Sequence, residues 1–203
     1  MFTGLIRELA KVQSFDNGFL TLQANHKAKI GDSIAVNGVC LTVVKFDKNS
    51  FTVELSDETL SLIHSQNMRN RVHIEPAMQF NDRLEGHIVQ GHIDCLGEII
   101  NIENLGSALN FYIKIPSEFI KFVIPKGSIT IDGVSLTVND VLSESFRLTI
   151  IPHTIKNTII QNYQIGTKVN VETDMFARYL YHLFNKKEEN LTWDKVDNIM
   201  AHY

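Results

Sequence analysis

Along most of this chain apolar and polar positions alternate in short runs, broken by turns such as Asp16-Asn17-Gly18, Asn37-Gly38 and Asp132-Gly133. Alternation with period two sends successive side chains to opposite faces of a β-strand. The clearest case is the stretch from Lys126 to Val138. Its Asp-Gly pair predicts a two-residue hairpin, because such turns need positive φ. On the second strand Leu136 and Val138 share one face, and Ser135 and Thr137 share the other. The Leu/Val face belongs in a core. The two hydroxyls then stand outside, on a face suited to recognising something polar.

The same pattern occurs earlier. Gly31 to Val43 matches the Lys126 stretch without a gap at a shift of 95, which carries Cys40 onto Ser135. The match continues through Phe51 onto Phe146, Val53 onto Leu148, Leu55 onto Ile150, Thr59 onto Thr154 and Leu60 onto Ile155. Val72-His73-Ile74-Glu75 resembles Val169-Asn170-Val171-Glu172, and Gly4-Leu5-Ile6 resembles Gly91-His92-Ile93. Ordered self-similarity of this length marks an internal duplication, and each copy is large enough to be a small domain. The chain divides into residues 1–86, residues 87–173 and a tail over 174–203.

Each copy reads as about six short strands, the spacing of an all-β barrel or sandwich. In the first, a hairpin turns at Asn17-Gly18, Ser33–Val36 pairs with Val39–Phe46, and Phe51–Leu55 and Arg71–Glu75 follow. A helical turn is expected at Asp57–Ile63. In the second, strands are expected at Ile93–Ile102, Asn110–Ile115, around Asp132-Gly133, at Phe146–Ile151 and at Lys168–Glu172, with a short helix from Pro116 to Phe122. The tail changes period. Thr173-Asp174 can cap a helix with Phe176, Leu180, Leu183 and Phe184 on one stripe, and Asn190–Tyr203 reads as a further helix. Such a helix either packs back on the body or joins chains together.

Composition narrows the function. A net charge of −4 and a pI near 6.0 give no footprint for nucleic acid. Cys40 and Cys95 form neither CxxC nor metal spacing, and two cysteines make no disulfide scaffold. No basic segment followed by an apolar run opens the chain, and no apolar run spans a membrane. A cytoplasmic protein is expected.

The informative positions are those where the copies differ in chemistry. Leu5 becomes His92, Cys40 becomes Ser135, Gly31 becomes Lys126 and Asn37 becomes Asp132. All four lie near the hydroxyl face or its hairpin. The second copy gains a base, a cation and a carboxylate; the first keeps Cys40 and Thr42. Two similar surfaces, one equipped for proton transfer, fit two similar ligands treated differently. His92 beside Ser135 and Thr137 is expected as general acid/base. His87 reads as structural.

Met1-Phe2-Thr3-Gly4-Leu5-Ile6, Asn37-Gly38-Val39-Cys40-Leu41-Thr42, Gly86-His87-Ile88-Val89-Gln90-Gly91-His92-Ile93 and Asp132-Gly133-Val134-Ser135-Leu136-Thr137 resemble the riboflavin synthase family. The resemblance runs from residue 1 to about 185; Leu5 and Asp94-Cys95 depart from it at tolerant positions. It implies two six-stranded antiparallel Greek-key barrels and a C-terminal helix that joins three chains. It implies a dismutation of 6,7-dimethyl-8-ribityllumazine without cofactor or metal. A four-carbon unit passes between two lumazines, giving riboflavin and 5-amino-6-ribitylaminouracil. Each barrel binds one lumazine, and the working pair of barrels comes from neighbouring chains. Association with lumazine synthase is a further partner expectation, and neither nucleic acid nor membrane is expected. Catalytic roles fall on His92, Ser135, Thr137 and Cys40. Ser135 relays protons or adds to the ring, and Cys40 is a nucleophile or polar contact. By motif position the ligand sites take Gly4, Leu5, Ile6, Cys40, Leu41, Thr42, Glu54, Leu55, Ser56, Asp57, Glu58, Thr59, Gly91, His92, Ile93, Lys126, Asp132, Ser135, Leu136, Thr137, Ile150, Ile151, Pro152, His153, Thr154 and Ile155. Lys126 and Asp132 would hold the ring or ribityl chain. The family also contains non-catalytic lumazine proteins, which lack the second-copy His and the Ser-Leu-Thr pattern; this chain has both.

Overall fold

The computed structural model of this protein describes residues 1–185, so the helix expected over 190–203 lies outside the described residues. Strands β1 (Glu8–Asp16), β2 (Phe19–Gln23), β3 (Ser33–Val36), β4 (Val39–Phe46), β5 (Ser50–Glu54) and β6 (Arg71–Pro76) form one closed antiparallel barrel. Its order is β1-β2-β5-β4-β3-β6, with β6 returning to β1. Strands β7 (Cys95–Asn104), β8 (Leu109–Lys114), β9 (Ser128–Ile131), β10 (Val134–Val141), β11 (Ser145–Ile150) and β12 (Lys168–Thr173) close a second barrel in the same order. Full closure removes sheet edges, which settles barrel over sandwich.

The turns form because their residues tolerate left-handed backbone. Asn17, Asn37 and Asp132 have φ of 48°, 45° and 44°, each followed by a positive-φ glycine. The duplication reaches into irregularities. The ladders of β4 with β5 and of β10 with β11 shift register at Val43/Lys45 and at Val138/Asp140. Leu20, Leu22, Ile34, Phe51 and Val53 fill the first core; Ile99, Phe111, Ile113, Phe146 and Leu148 fill the second. Each such side chain contributes about 1.5–3 kcal/mol by leaving water.

The two leading segments cross over. Phe2 and Val89 exchange backbone hydrogen bonds of 2.8 and 3.0 Å between the barrels. Ile6, from the first copy, then packs against the second core, and Ile93, from the second copy, packs against the first. The tips of the two equivalent hairpins also meet. A Cβ on Gly38 would lie 2.6 Å from the backbone nitrogen of Gly133, so this approach excludes any side chain.

Among the described residues the strands are accompanied by two 3-10 turns, Ser65–Met68 and Ile159–Asn162, and by four α-helices, α1 (Asp57–Leu62), α2 (Ser117–Ile120), α3 (Pro152–Asn157) and α4 (Met175–Asn185). The second-copy helix α3, equivalent to α1, went unread in the sequence. Asp174 caps α4 as expected, its Oδ1 accepting from the Phe176 N–H at 2.8 Å. Ala177 is buried and Tyr181 meets Phe122 edge-on at 5.3 Å, which docks one side of the helix. The predicted stripe does not dock: Phe176, Leu180, Leu183 and Phe184 are 51–83% exposed. Among the described residues no helix is long and apolar enough to cross a membrane.

Candidate active site

The crossing builds two equivalent sites, each from a hairpin strand of one copy and the leading segment of the other, and the first of them is a cleft. In the first, the Cys40 N–H donates to the Gly91 carbonyl at 2.8 Å. A Cβ on Gly91 would lie 2.7 Å from Cys40 Cβ, so glycine is required for this approach. The cleft, of about 370 Å³, is lined by Val39, Cys40, Glu58, Thr59, Leu62, Ile63, Gly91, His92 and Ile93. Here the structure corrects the sequence reading: His92 stands with Cys40 on the first barrel and not beside Ser135 and Thr137. The reason is the crossing itself. Burial pushes the Cys40 thiol up, the N-terminal ammonium and the Ser33 hydroxyl lower it less, and Glu172 adds to the rise. Cys40 is therefore a thiol at neutral pH, a polar contact rather than a ready nucleophile.

In the second site the Ser135 N–H donates to the Gly4 carbonyl at 2.8 Å. Ser135 Oγ lies 2.7 Å from His87 Nδ1, and His87 Nε2 lies 3.3 Å from Thr130 Oγ1. Burial lowers the pKa of His87, with Asp174 opposing more weakly, so the imidazole is neutral near pH 7. A neutral imidazole against a hydroxyl can accept its proton. His87, read as structural from sequence, is thus the group that the sequence reading missed. Its signal was the first of the two histidines in the Gly86–Ile93 run, five residues before His92. His87 reaches Ser135 because its N–H donates to the Thr3 carbonyl at 3.1 Å.

The remaining positions separate by burial. Thr42 and Thr137 are exposed on the faces of Cys40 and Ser135, as alternation requires. Leu41, Leu55 and Ile150 are buried in the cores and support these surfaces from beneath. Leu5, Ile6, Leu136, Thr154 and Ile155 are half-buried around the second barrel. Glu54, Ser56, Asp57 and Glu58 are exposed where β5 leads into α1, and Ser56 Oγ caps that helix by accepting the Thr59 N–H at 3.2 Å. Ile151, Pro152 and His153 are exposed at the start of α3. Lys126 is exposed with φ of 64°, where its counterpart Gly31 has 87°. A lysine held there is strained relative to glycine.

Asp132 is the second correction. It is fully buried between the barrels and touches no cleft. Its carboxylate accepts from the Asn170 N–H at 2.8 Å and from the Tyr163 hydroxyl, and its carbonyl lies 2.7 Å from His73 Nδ1. Burial pushes this carboxyl up to about 7 against the hydrogen bonds from Tyr163 and Asn170, and burial takes His73 down to about 4. Asp132 locks the hairpin tip because the other tip covers it. Among the described residues no group of His, Cys, Asp and Glu stands close enough to hold a metal ion, and both cysteines are free.

Comparison with known proteins places this arrangement. The lumazine binding domain family matches twice, at residues 3–77 and 90–174. The chain is 42% identical to the riboflavin synthase of Photobacterium phosphoreum, over 90% of this chain and 88% of that one. It is 40% identical to the riboflavin synthase of Bacillus subtilis, over 97% and 95%. Against that of Schizosaccharomyces pombe the identity is 36%, over 88% and 91%. The solved structure of LumP complexed with riboflavin shares the fold, with a TM-score of 0.75 at 22% identity, covering 86% of this chain and all of that one. Two matched copies, two closed barrels and relatives of this similarity along nearly the whole chain place it in one family: the chain belongs to the lumazine binding domain family, among the riboflavin synthases.

Proposed function

We propose that this chain catalyses the dismutation of two molecules of 6,7-dimethyl-8-ribityllumazine to riboflavin and 5-amino-6-ribitylaminouracil. One observation carries the proposal. The two copies of a lumazine binding domain present equivalent strand-to-segment sites with different equipment, Cys40 with His92 in one and Ser135 with His87 in the other. A dismutation needs this, since two identical molecules must play donor and acceptor.

One lumazine sits in each site. His92 moves the proton of the acidic ring methyl as general acid/base. Ser135, polarised by neutral His87, relays a proton to the other ring or adds to it. The Cys40 thiol, Thr42 and Thr137 contact the ring edges, and Lys126 holds the ring or the ribityl chain. Orientation of two stacked reactants supplies much of the rate. The reaction transfers a four-carbon unit between like molecules, so it needs no cofactor and no metal. Both sites face outward, with His92, Thr42 and Thr137 exposed. A partner chain closes them, and the bare stripe of α4 drives assembly into a trimer in which each working site joins a first barrel to a neighbour's second barrel. The enzyme works in the cytoplasm, with lumazine synthase as its associate.

The test is to titrate purified protein with the lumazine and follow its fluorescence over time. Binding followed by loss of the lumazine signal and growth of the riboflavin signal supports the proposal. Stable binding without conversion would make the chain a lumazine-holding protein instead.

A further inference from the structure

Both leading segments are held by a buried glutamate at the end of a barrel. Glu75 accepts the Thr3 N–H at 2.8 Å, the Thr3 hydroxyl at 2.7 Å and the Gly4 N–H at 3.0 Å. Its counterpart Glu172 accepts the N–H groups of Gln90, Gly91 and His92 at 2.7, 2.9 and 3.2 Å. The second clamp has an addition that the first lacks. Arg178 on α4 donates to Asp94 Oδ1 at 2.5 Å and to the Gln90 side-chain oxygen at 2.7 Å, and lies 3.9 Å from Glu172 Oε1. The other oxygen of Asp94 accepts from the Thr173 N–H and hydroxyl at 2.7 and 2.6 Å. The segment carrying His92 is thus bracketed on both sides, and the bracket is closed by one guanidinium on the tail helix.

We propose that Arg178 is a positioning residue for His92, acting through Gln90, Asp94 and Glu172, so that the tail helix sets where the acid/base stands in the Cys40 cleft. This rests on the role given to His92 above. The physical logic is direct. His92 is itself exposed, so its backbone tether, and not side-chain packing, fixes its place. A bidentate guanidinium is a rigid fork that fixes two partners at once. Burial pushes Glu172 up to about 7, the Gln90 and Gly91 N–H groups and Arg178 oppose this, and Asp94 adds to it. Without Arg178 the carboxylate loses this cation and weakens as an acceptor for three backbone donors. The face of α4 that carries Arg178 docks on the body, while Phe176, Leu180 and Leu183 are bare. One helix therefore presents an apolar stripe outward and holds the catalytic segment inward.

The test compares Arg178→Ala, Arg178→Lys and Gln90→Ala with the unaltered full chain. Small displacements of a reacting group lower turnover about 10- to 100-fold. Arg178→Ala should lose that much kcat while lumazine affinity and sedimentation stay as in the unaltered chain. Arg178→Lys should recover part of it. Gln90→Ala cuts one contact without touching the helix and should fall in the same direction, and it decides the matter if Arg178→Ala fails to assemble. In all three the His92 ring resonances should shift and the Gly91 and His92 amides should exchange faster with solvent. These signals need no turnover, so they judge the clamp even if the unaltered chain makes no riboflavin, an outcome that would sink the proposed function alone. Unaltered kcat with unmoved His92 resonances in Arg178→Ala or Gln90→Ala overturns the inference. So does a loss of kcat in Gln90→Ala that is accounted for by dissociation of the assembly.

Discussion

At the scale of single residues, equivalent positions in the two copies have taken different jobs. His92 replaces Leu5 and faces the Cys40 cleft. His92→Ala should keep lumazine binding and lose turnover by about 10²–10⁴, the usual scale for a general acid/base. Near-normal turnover would remove His92 from the mechanism. Lys126 occupies a backbone conformation that its counterpart Gly31 adopts without strain. Lys126→Gly should leave thermal stability unchanged or raised by up to about 1 kcal/mol while weakening lumazine binding. A loss of stability with unchanged affinity would assign Lys126 to the fold alone. Asp132 carries a pH signature. Its folded pKa, about 7, lies above the ordinary carboxyl value of 3.8, so the folded chain keeps a proton that the unfolded chain releases. That favours the fold below pH 4 and is lost as pH rises towards 7. His73, taken down to about 4, works in the opposite direction over much of the same range and masks it. The comparison must therefore be with Asp132→Asn, which copies Asn37 of the first hairpin. Relative to the unaltered chain, the variant should gain stability between pH 4 and 7, by at most about 1.4 kcal/mol per pH unit. Denaturation curves across that range check the sign, and a pH-independent difference would mean that Asp132 keeps its charge when folded.

Elements were legible where their signal is local. Period-two alternation and the Asn-Gly and Asp-Gly turns set out the strands and their outward hydroxyl faces, and Asp174 marked the start of α4. Three features were not legible, each because it is made by distant backbone. The contact between Cys40 and Gly91 joins an N–H to a carbonyl 51 positions away and leaves no side-chain pattern. Hence the sequence pattern groups His92 with Ser135 and Thr137 of its own copy and not with Cys40. His87 is positioned through the Thr3 carbonyl, so alone it looked like any histidine. Asp132 has the turn chemistry of an exposed loop, and only the opposing tip buries it. Element α4 carries its own prediction. Leu180→Glu with Leu183→Glu should put charge on the bare stripe and leave the barrels folded, giving species lighter than a trimer by sedimentation with little activity. An unchanged trimer would show that the stripe is not the joint.

For the whole molecule, the crossing redraws how the working site is divided. Cys40 and His92 belong to one site of the chain, and Ser135 and His87 to the other. A chain altered at Cys40 and His92 should therefore complement a chain altered at His87 and Ser135 when the two are unfolded and refolded together. Activity should reappear in the mixture and in neither variant alone. Co-assembly without activity would place both halves of a working site in one chain. Purified protein is incubated with 6,7-dimethyl-8-ribityllumazine alone, and every pterin, flavin and pyrimidine product is quantified by chromatography. Two lumazines should disappear for each riboflavin and each 5-amino-6-ribitylaminouracil formed. Lumazine recovered unchanged, or riboflavin formed without the pyrimidine in equal amount, would show that this protein does not perform the dismutation.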